Sequence, residues 1–247
     1  RKFNLMSGDA SNIGLVTSLS SKTFINYGSA ANQGDYIIIS NPVLYNNGSG
    51  VNNVDLYRQY RSTAAGGSFN AKVYNVDELT DQFGFGIRKH PAAVRDFILY
   101  ANQQFTPKPK YVFIMGRGIS YQDYTENQAN PAAEQLDLVQ TFGWPASDVL
   151  LACPPGTNVP VVPIGRLGAI NGTEVGYYLE KMKQYEQAQQ STVQTIAEKG
   201  WMKNMLHTLG GSDSLENAQF GVYMNGYKTL IEDTLYGARV QTFAKTS

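Results

Sequence analysis

Apolar positions along this chain fall into two kinds of run, and their alternation predicts the fold. Residues 90–118 contain both. Pro91 suits a first helical turn, where its missing N–H costs nothing. Val94, Phe97, Ile98, Ala101 and Phe105 then recur on one face at helical spacing. Residues 106–109 break the helix with two prolines, and Tyr111 to Met115 follows as a continuous apolar run ending at Gly116. Such a run is the pattern of a strand buried on both faces of a parallel sheet. A helix leading into a buried strand is the repeating unit of an α/β layer protein. In these sheets sites lie beyond the carboxyl ends of the strands, so Gly116, Arg117 and Gly118 occupy the place where binding or chemistry is expected.

The same reading extends to the rest of the chain. Residues 1–34 read as an irregular segment with β-prone pieces at 14–19 and 23–27, the tail of a preceding domain. Residues 35–40 form a buried strand stopped by Asn41-Pro42. A helix over 54–65 closes at Gly66-Gly67, a strand follows at 71–76, and Asp77 caps a short helix. Strand, helix, strand, helix, strand implies right-handed parallel crossovers. Residues 121–135 read as a long polar surface loop, and 149–152 and 161–164 as two short strands. A helix over 173–190 carries Val175, Leu179, Met182 and Tyr185 on its apolar side, and the polar run 187–195 reads as a linker. A second α/β unit then begins, with a strand at 202–209, a glycine turn, a helix at 216–235 and a strand at 239–244. The boundaries so drawn are 1–34, a first α/β subdomain over 35–195, and the start of a second over 196–247. Two strands and a helix make a poor independent core, so this last unit is expected to lean on the first sheet or to continue in further chain.

Composition narrows the function classes. The 247 residues carry 20 basic and 20 acidic side chains, which gives no polyanion footprint and argues against nucleic acid. No apolar run reaches the length of a membrane span. The chain opens at Arg1 with no signal peptide, and so reads as a processed product, a cloned segment or a fragment. A single cysteine excludes an internal disulfide framework. Sixteen tyrosines, 24 glycines and many Asn-Gly and Gly-Ser turns suggest a loop-rich protein in an extracellular setting.

The chemical candidates are few. Cys153 ends an apolar run before Pro154-Pro155 and reads as a structural thiol, since a nucleophile needs a base within reach. His90 precedes a proline at a helix start and reads as a capping or a surface residue. His207 lies near the carboxyl end of a strand, but no nucleophile follows it. Gly116-Arg117-Gly118 lacks the third glycine and the following helix of a dinucleotide loop. One cysteine and two distant histidines do not make a zinc site. Asp213 and Glu216 follow the glycine turn after the His207 strand and read first as helix-start carboxylates.

The order of segments nevertheless resembles a known family. Asp35-Tyr36-Ile37-Ile38-Ile39-Ser40-Asn41-Pro42 is similar to its opening strand, Val76-Asp77-Glu78-Leu79 through Phe85-Gly86 to a second segment, and Pro91-Ala92-Ala93-Val94-Arg95-Asp96-Phe97 to a third. Residues 110–118, Gly143-Trp144-Pro145-Ala146-Ser147-Asp148, and Pro163-Ile164-Gly165-Arg166-Leu167 with the helix to Tyr185-Glu186 complete six segments in the family's order. Together they resemble the gingipain-like cysteine peptidases, with details leaning towards the surface sortase of the type IX secretion system. The resemblance implies an α/β, caspase-like three-layer sandwich with a mostly parallel sheet, whose second subdomain carries the catalytic histidine and then the cysteine.

Neither His207, followed by Thr208 rather than glycine, nor Cys153, which precedes it, inherits those roles; both family positions are expected beyond Ser247. Asp213 is the nearest match to a carboxylate that supports the histidine, and Glu216 a weaker, substrate-binding one. No cofactor is read from the residues. Calcium enters only through the resemblance, and Arg117, standing where relatives often carry Asp, puts it in doubt there. The implied partners are protein or peptide substrates and secretion-system proteins, at an extracellular or bacterial cell-surface location. The implied function is the amino-terminal portion of a cysteine endopeptidase or transpeptidase, inactive as this chain alone. The alternative is a non-catalytic module of the same fold that binds peptides or partners, and a nucleotide-binding α/β domain ranks third.

Overall fold

The computed structural model describes residues 8, 9, 18, 21–127, 129–191 and 195–244. Three wholly buried isoleucines, Ile37, Ile38 and Ile39, set the architecture of the larger part. They form β1 (Tyr36–Ser40), and successive strand side chains point to opposite faces. Ile37 and Ile39 therefore enter one core and Ile38 the other. In chain order there follow α1 (Asn53–Arg61), β2 (Ala71–Asn75), α2 (Val76–Phe83), α3 (Pro91–Gln104), β3 (Tyr111–Met115), α4 (Tyr121–Glu126), α5 (Pro131–Leu136), β4 (Ile164–Leu167) and α6 (Gly172–Gln190).

The strands form one parallel sheet in the order β2-β1-β3-β4. Leu79 of α2 and Val94, Phe97, Ile98 and Ala101 of α3 cover the Ile37 face. Val54 and Tyr57 of α1 and Val175, Leu179 and Met182 of α6 cover the Ile38 face. Each fully buried Ile or Leu contributes about 1.5–3 kcal/mol. The helix–sheet–helix sandwich thus follows from apolar runs that had to be covered twice.

The chain divides into two compact units, Arg1–Gln184 and Tyr185–Ser247. The second holds α7 (Ile196–Lys199), β5 (Asn204–Leu209), α8 (Ser214–Ile231) and β6 (Arg239–Ala244). β5 and β6 pair in parallel, and Gly221 of α8 lies beside Leu209 of β5. No residue of α8 is buried. Leu206 and Phe243, on strands that pair in one ladder, are 70% and 51% exposed.

Several expectations from sequence need correction. Residues 149–152 form a 3-10 turn rather than a strand. Leu151 N–H is taken by Asp148 O, which winds the chain before it can pair. The expected strand at 161–164 begins only at Ile164, because Pro163 has no N–H for the ladder. The polar stretch 121–135 contains two short helices, α4 and α5, started by the side chains of Ser120 and Asn130. Asn75, not Asp77, caps α2: its side chain accepts from Asp77 N–H, so strand passes into helix with no connecting residue. Residues 23–27 form no strand, yet Tyr27 enters the core against Tyr74 and Phe97. Tyr185 is half exposed and stacks edge-on to Trp201, and α6 runs into the expected linker as far as Gln190. Of residues 14–19, all but Ser18 lie outside the described residues.

The uncovered apolar side chains of the second unit predict association. The chain should sediment as a concentration-dependent mixture near neutral pH, and Leu206→Asp with Phe243→Ser should shift it towards monomer. An unchanged, monodisperse profile for both proteins would count against this.

Candidate functional site

The carboxyl edge of the four-stranded sheet is built around a close approach of two loops. Gly116 has φ +141°, where L side chains are strained, and a Cβ there would meet Val139 Cγ2 at 2.9 Å. A Cβ on Gly118 would lie 2.4 Å from Val139 O. The two glycines thus let residues 116–119 lie against 137–141. Arg117 O accepts from Leu138 N–H and Val139 N–H, and Thr141 Oγ1 donates to Ile119 O at 2.7 Å.

Arg166, near the end of β4, ties these loops together. Its Nε and Nη2 donate to the Asp148 carboxylate, at 2.9 and 2.7 Å. Its Nη1 donates to Gly116 O and Val139 O, both at 2.7 Å, and its Nη2 also to Gln140 O at 3.1 Å. The guanidinium side chain is 11% exposed. All five N–H donors point into one arc of acceptors, which only a planar guanidinium can satisfy.

Beside this clamp lies a polar cleft of about 330 Å³, lined by Asn41, Thr80, Lys89, Glu134 and Gln140 among others. Asn41, just past β1, donates through its amide to Leu138 O. Lys89 sits at φ +57°, a strained angle for a side chain, and its ammonium donates to Asp137 O while lying 3.5 Å from Glu134. Burial pushes the Glu134 carboxyl up, but Arg88 and Lys89 outweigh it and hold the group below the usual carboxylate range. Asp137 goes the other way. It is 1% exposed, and burial pushes its carboxyl upward against the nearby Lys89 charge. Its carboxylate accepts only long bonds, from Ile119 N–H at 3.3 Å and Gln140 Nε2 at 3.4 Å.

The residues singled out from sequence are placed as follows. Arg117 is exposed and makes no side-chain hydrogen bond or ion pair among the described residues. It offers a cation where a calcium ion would need oxygen ligands, so the residues at this position do not fit that metal. No group of three or more His, Cys, Asp or Glu is gathered for a metal among the described residues. Cys153 is buried, and its thiol donates to Val149 O at 3.2 Å. His90 caps α3, its Nδ1 accepting from Ala92 N–H at 3.1 Å. In the second unit Asp213 caps α8 by accepting from Glu216 N–H at 2.8 Å, and Glu216 reaches back to accept from Ser212 N–H and Oγ. Those bonds from Ser212 hold the Glu216 carboxyl below its ordinary range. His207 Nδ1 is buried without a hydrogen-bond partner among the described residues.

The sequence does not mark the Arg166–Asp148 pair as the clamp of this edge, nor Asp137 and Lys89 as lying beside it. One signal was present: an arginine among the apolar residues of a short strand demands a carboxylate and carbonyls nearby. The partners, 18 to 50 residues distant in sequence, carry no such mark.

Two outcomes follow from this geometry. Arg166→Met should destabilise the chain by about 2–4 kcal/mol in urea unfolding, because Asp148 and three loop carbonyls lose their donors. Asp148→Asn combined with it should cost less than the sum of the two, whereas strict additivity would show that the pair is not coupled. For Asp137 the folded pKa is raised, so its favourable contribution is complete below about pH 3.9, the unfolded value, and is lost as pH rises through the folded value. At pH 7.5 the ionised group is a cost. Asp137→Asn keeps an oxygen for Ile119 N–H and should raise the melting temperature at pH 7.5, with the gain shrinking towards pH 4. A gain that is the same at both pH values would contradict this.

The model of peptidase family C25 matches residues 29–245, across both units. No curated protein and no solved structure matches the chain. The six ordered segments, the mostly parallel sheet between helical layers and this match agree, and the caspase- and gingipain-like α/β fold expected from the resemblance is the one the chain adopts. The chain belongs to peptidase family C25, the gingipain family of cysteine peptidases.

Proposed function

We propose that this chain is part of a gingipain-like cysteine endopeptidase or transpeptidase that acts on protein substrates, and that residues other than Cys153, His90 and His207 supply its reactive pair. The observation that carries the reading is the setting of Cys153: buried, closing a 3-10 turn, its thiol donating to a backbone carbonyl. A peptidase thiolate needs an imidazole within hydrogen-bond reach and access to a peptide carbonyl. His90 spends its Nδ1 on a helix cap. In the intact protein a thiolate would attack the scissile carbonyl, with histidine as acid and base and backbone N–H groups holding the oxyanion. Asp213, at the start of α8 just beyond β5, is the candidate for the carboxylate that orients the histidine, and Glu216 a candidate for substrate contact. A sortase role in type IX secretion, and an extracellular or cell-surface location, are the finer form of this proposal. They rest on the order of the six segments and on the tyrosine- and glycine-rich loops.

The test is an assay of this chain and of the full-length protein on one peptide library, with a thiol-reactive inhibitor as control. Inhibitor-sensitive cleavage is expected from the full-length protein alone, and its Cys153→Ala variant should cleave at an unchanged rate. Cleavage by this chain that disappears in Cys153→Ala would overturn the assignment. A full-length protein that binds the peptides without cleaving them would establish the non-catalytic module instead.

A further inference from the structure

β2 is an end strand of its sheet. It pairs with β1 over five residues in unbroken register and, among the described residues, with nothing on its other side. An unpaired edge presents a row of backbone N–H and C=O groups, and proteins normally blunt such edges with proline, a bulge or a covering loop. Residues 71–75 contain no proline, and the register shows no bulge. Instead a groove of about 430 Å³ has residues 72–75 in its lining. Ile25 and Ala31 line it on the side of α2, to which Ile25 is tied by Gln82. Tyr45 and Val54 line it on the side of α1. A strand laid into this groove would send alternate side chains to these two walls.

The charges in the groove favour one kind of strand. Asp55 is already engaged, accepting from Arg58 at 2.6 Å and from Gln59 at 2.7 Å. Lys72 is not: its ammonium has no hydrogen bond or ion pair among the described residues. Its aliphatic stem lies over Gly34, where a Cβ would come within 2.8 Å of Lys72 Cγ. Glycine at that position lets the lysine lie along the edge. We propose that the free edge of β2 is a strand-addition site for an extended peptide segment with an acidic side chain opposite Lys72. Backbone pairing supplies affinity with little regard to sequence, and Lys72 supplies the preference. The inference does not depend on where the peptidase pair resides.

The probe is an eight-residue peptide of alternating valine and threonine with one central glutamate, titrated into the 247-residue chain. Binding is read by fluorescence anisotropy and by amide hydrogen exchange. Exchange at the amides of residues 71–75 that point away from β1 should slow on binding. The central-lysine analogue should bind about two- to fivefold more weakly, as for a partly exposed ion pair. Lys72→Glu, checked for an unchanged melting temperature, should reverse that order, and N-methylation of alternate peptide amides should abolish binding. Unchanged exchange at 71–75, equal binding of both peptides, or full binding of the N-methylated peptide would overturn the proposal. So would slow exchange, before any peptide is added, at the amides of residues 71–75 that point away from β1. Slow exchange that is independent of concentration would assign the edge to the chain's own residues, and slow exchange that grows with concentration would assign it to a second copy.

Discussion

The first unit depends on one guanidinium. Where the sheet ends, the chain leaves β3 and β4 in irregular loops, and the carbonyls of Gly116, Val139 and Gln140 have no ladder to join. Buried carbonyls must find donors, and Arg166 provides them while its charge is met by Asp148. Lysine could not do this, since its three donors radiate from a point rather than lying in a plane. The clamp also joins segments that are far apart in sequence. Gly116, Ser147-Asp148 and Gly165-Arg166 stand in three of the six segments that resemble the gingipain family, and they converge on one hydrogen-bonded knot. The knot is architectural, and it fixes the surface from which the loops project.

Next to that knot the chain keeps features that packing alone does not require. Lys89 is held in a left-handed conformation and delivers its ammonium to Asp137 O, while Asp137 itself is buried with long hydrogen bonds. Strained backbone and an under-solvated carboxylate both cost free energy, and such costs concentrate where a surface is shaped for use. The second unit contrasts with this. Its helix α8 buries no residue, and the apolar Leu206 and Phe243 stand open to solvent. The chain belongs to a family of cysteine peptidases, yet Cys153 is packed as a core residue.

What the sequence determined by itself is the set of elements whose signal is local. The isoleucine run of β1, the apolar stripe Val94, Phe97, Ile98 and Ala101 of α3, and the run of β3 each carry their own period, so strands, helices and parallel order followed from pattern alone. The caps are half legible: a histidine before Pro91 suits either a cap or the surface, and the fold makes it the cap of α3. Asp77 has the look of the cap that Asn75 provides, because strand and helix abut without a linker to mark the change. Residues 149–152 are as apolar as a strand, yet wind into a turn closed on Asp148 O. Only the tertiary structure decided that, and only it decided which polar groups meet. Asp148, Asp137 and Lys89 look in sequence like any solvated charge. Their roles arise from partners that the fold brings into hydrogen-bond or ion-pair range, and a pairing across 18 to 50 residues leaves no periodic trace.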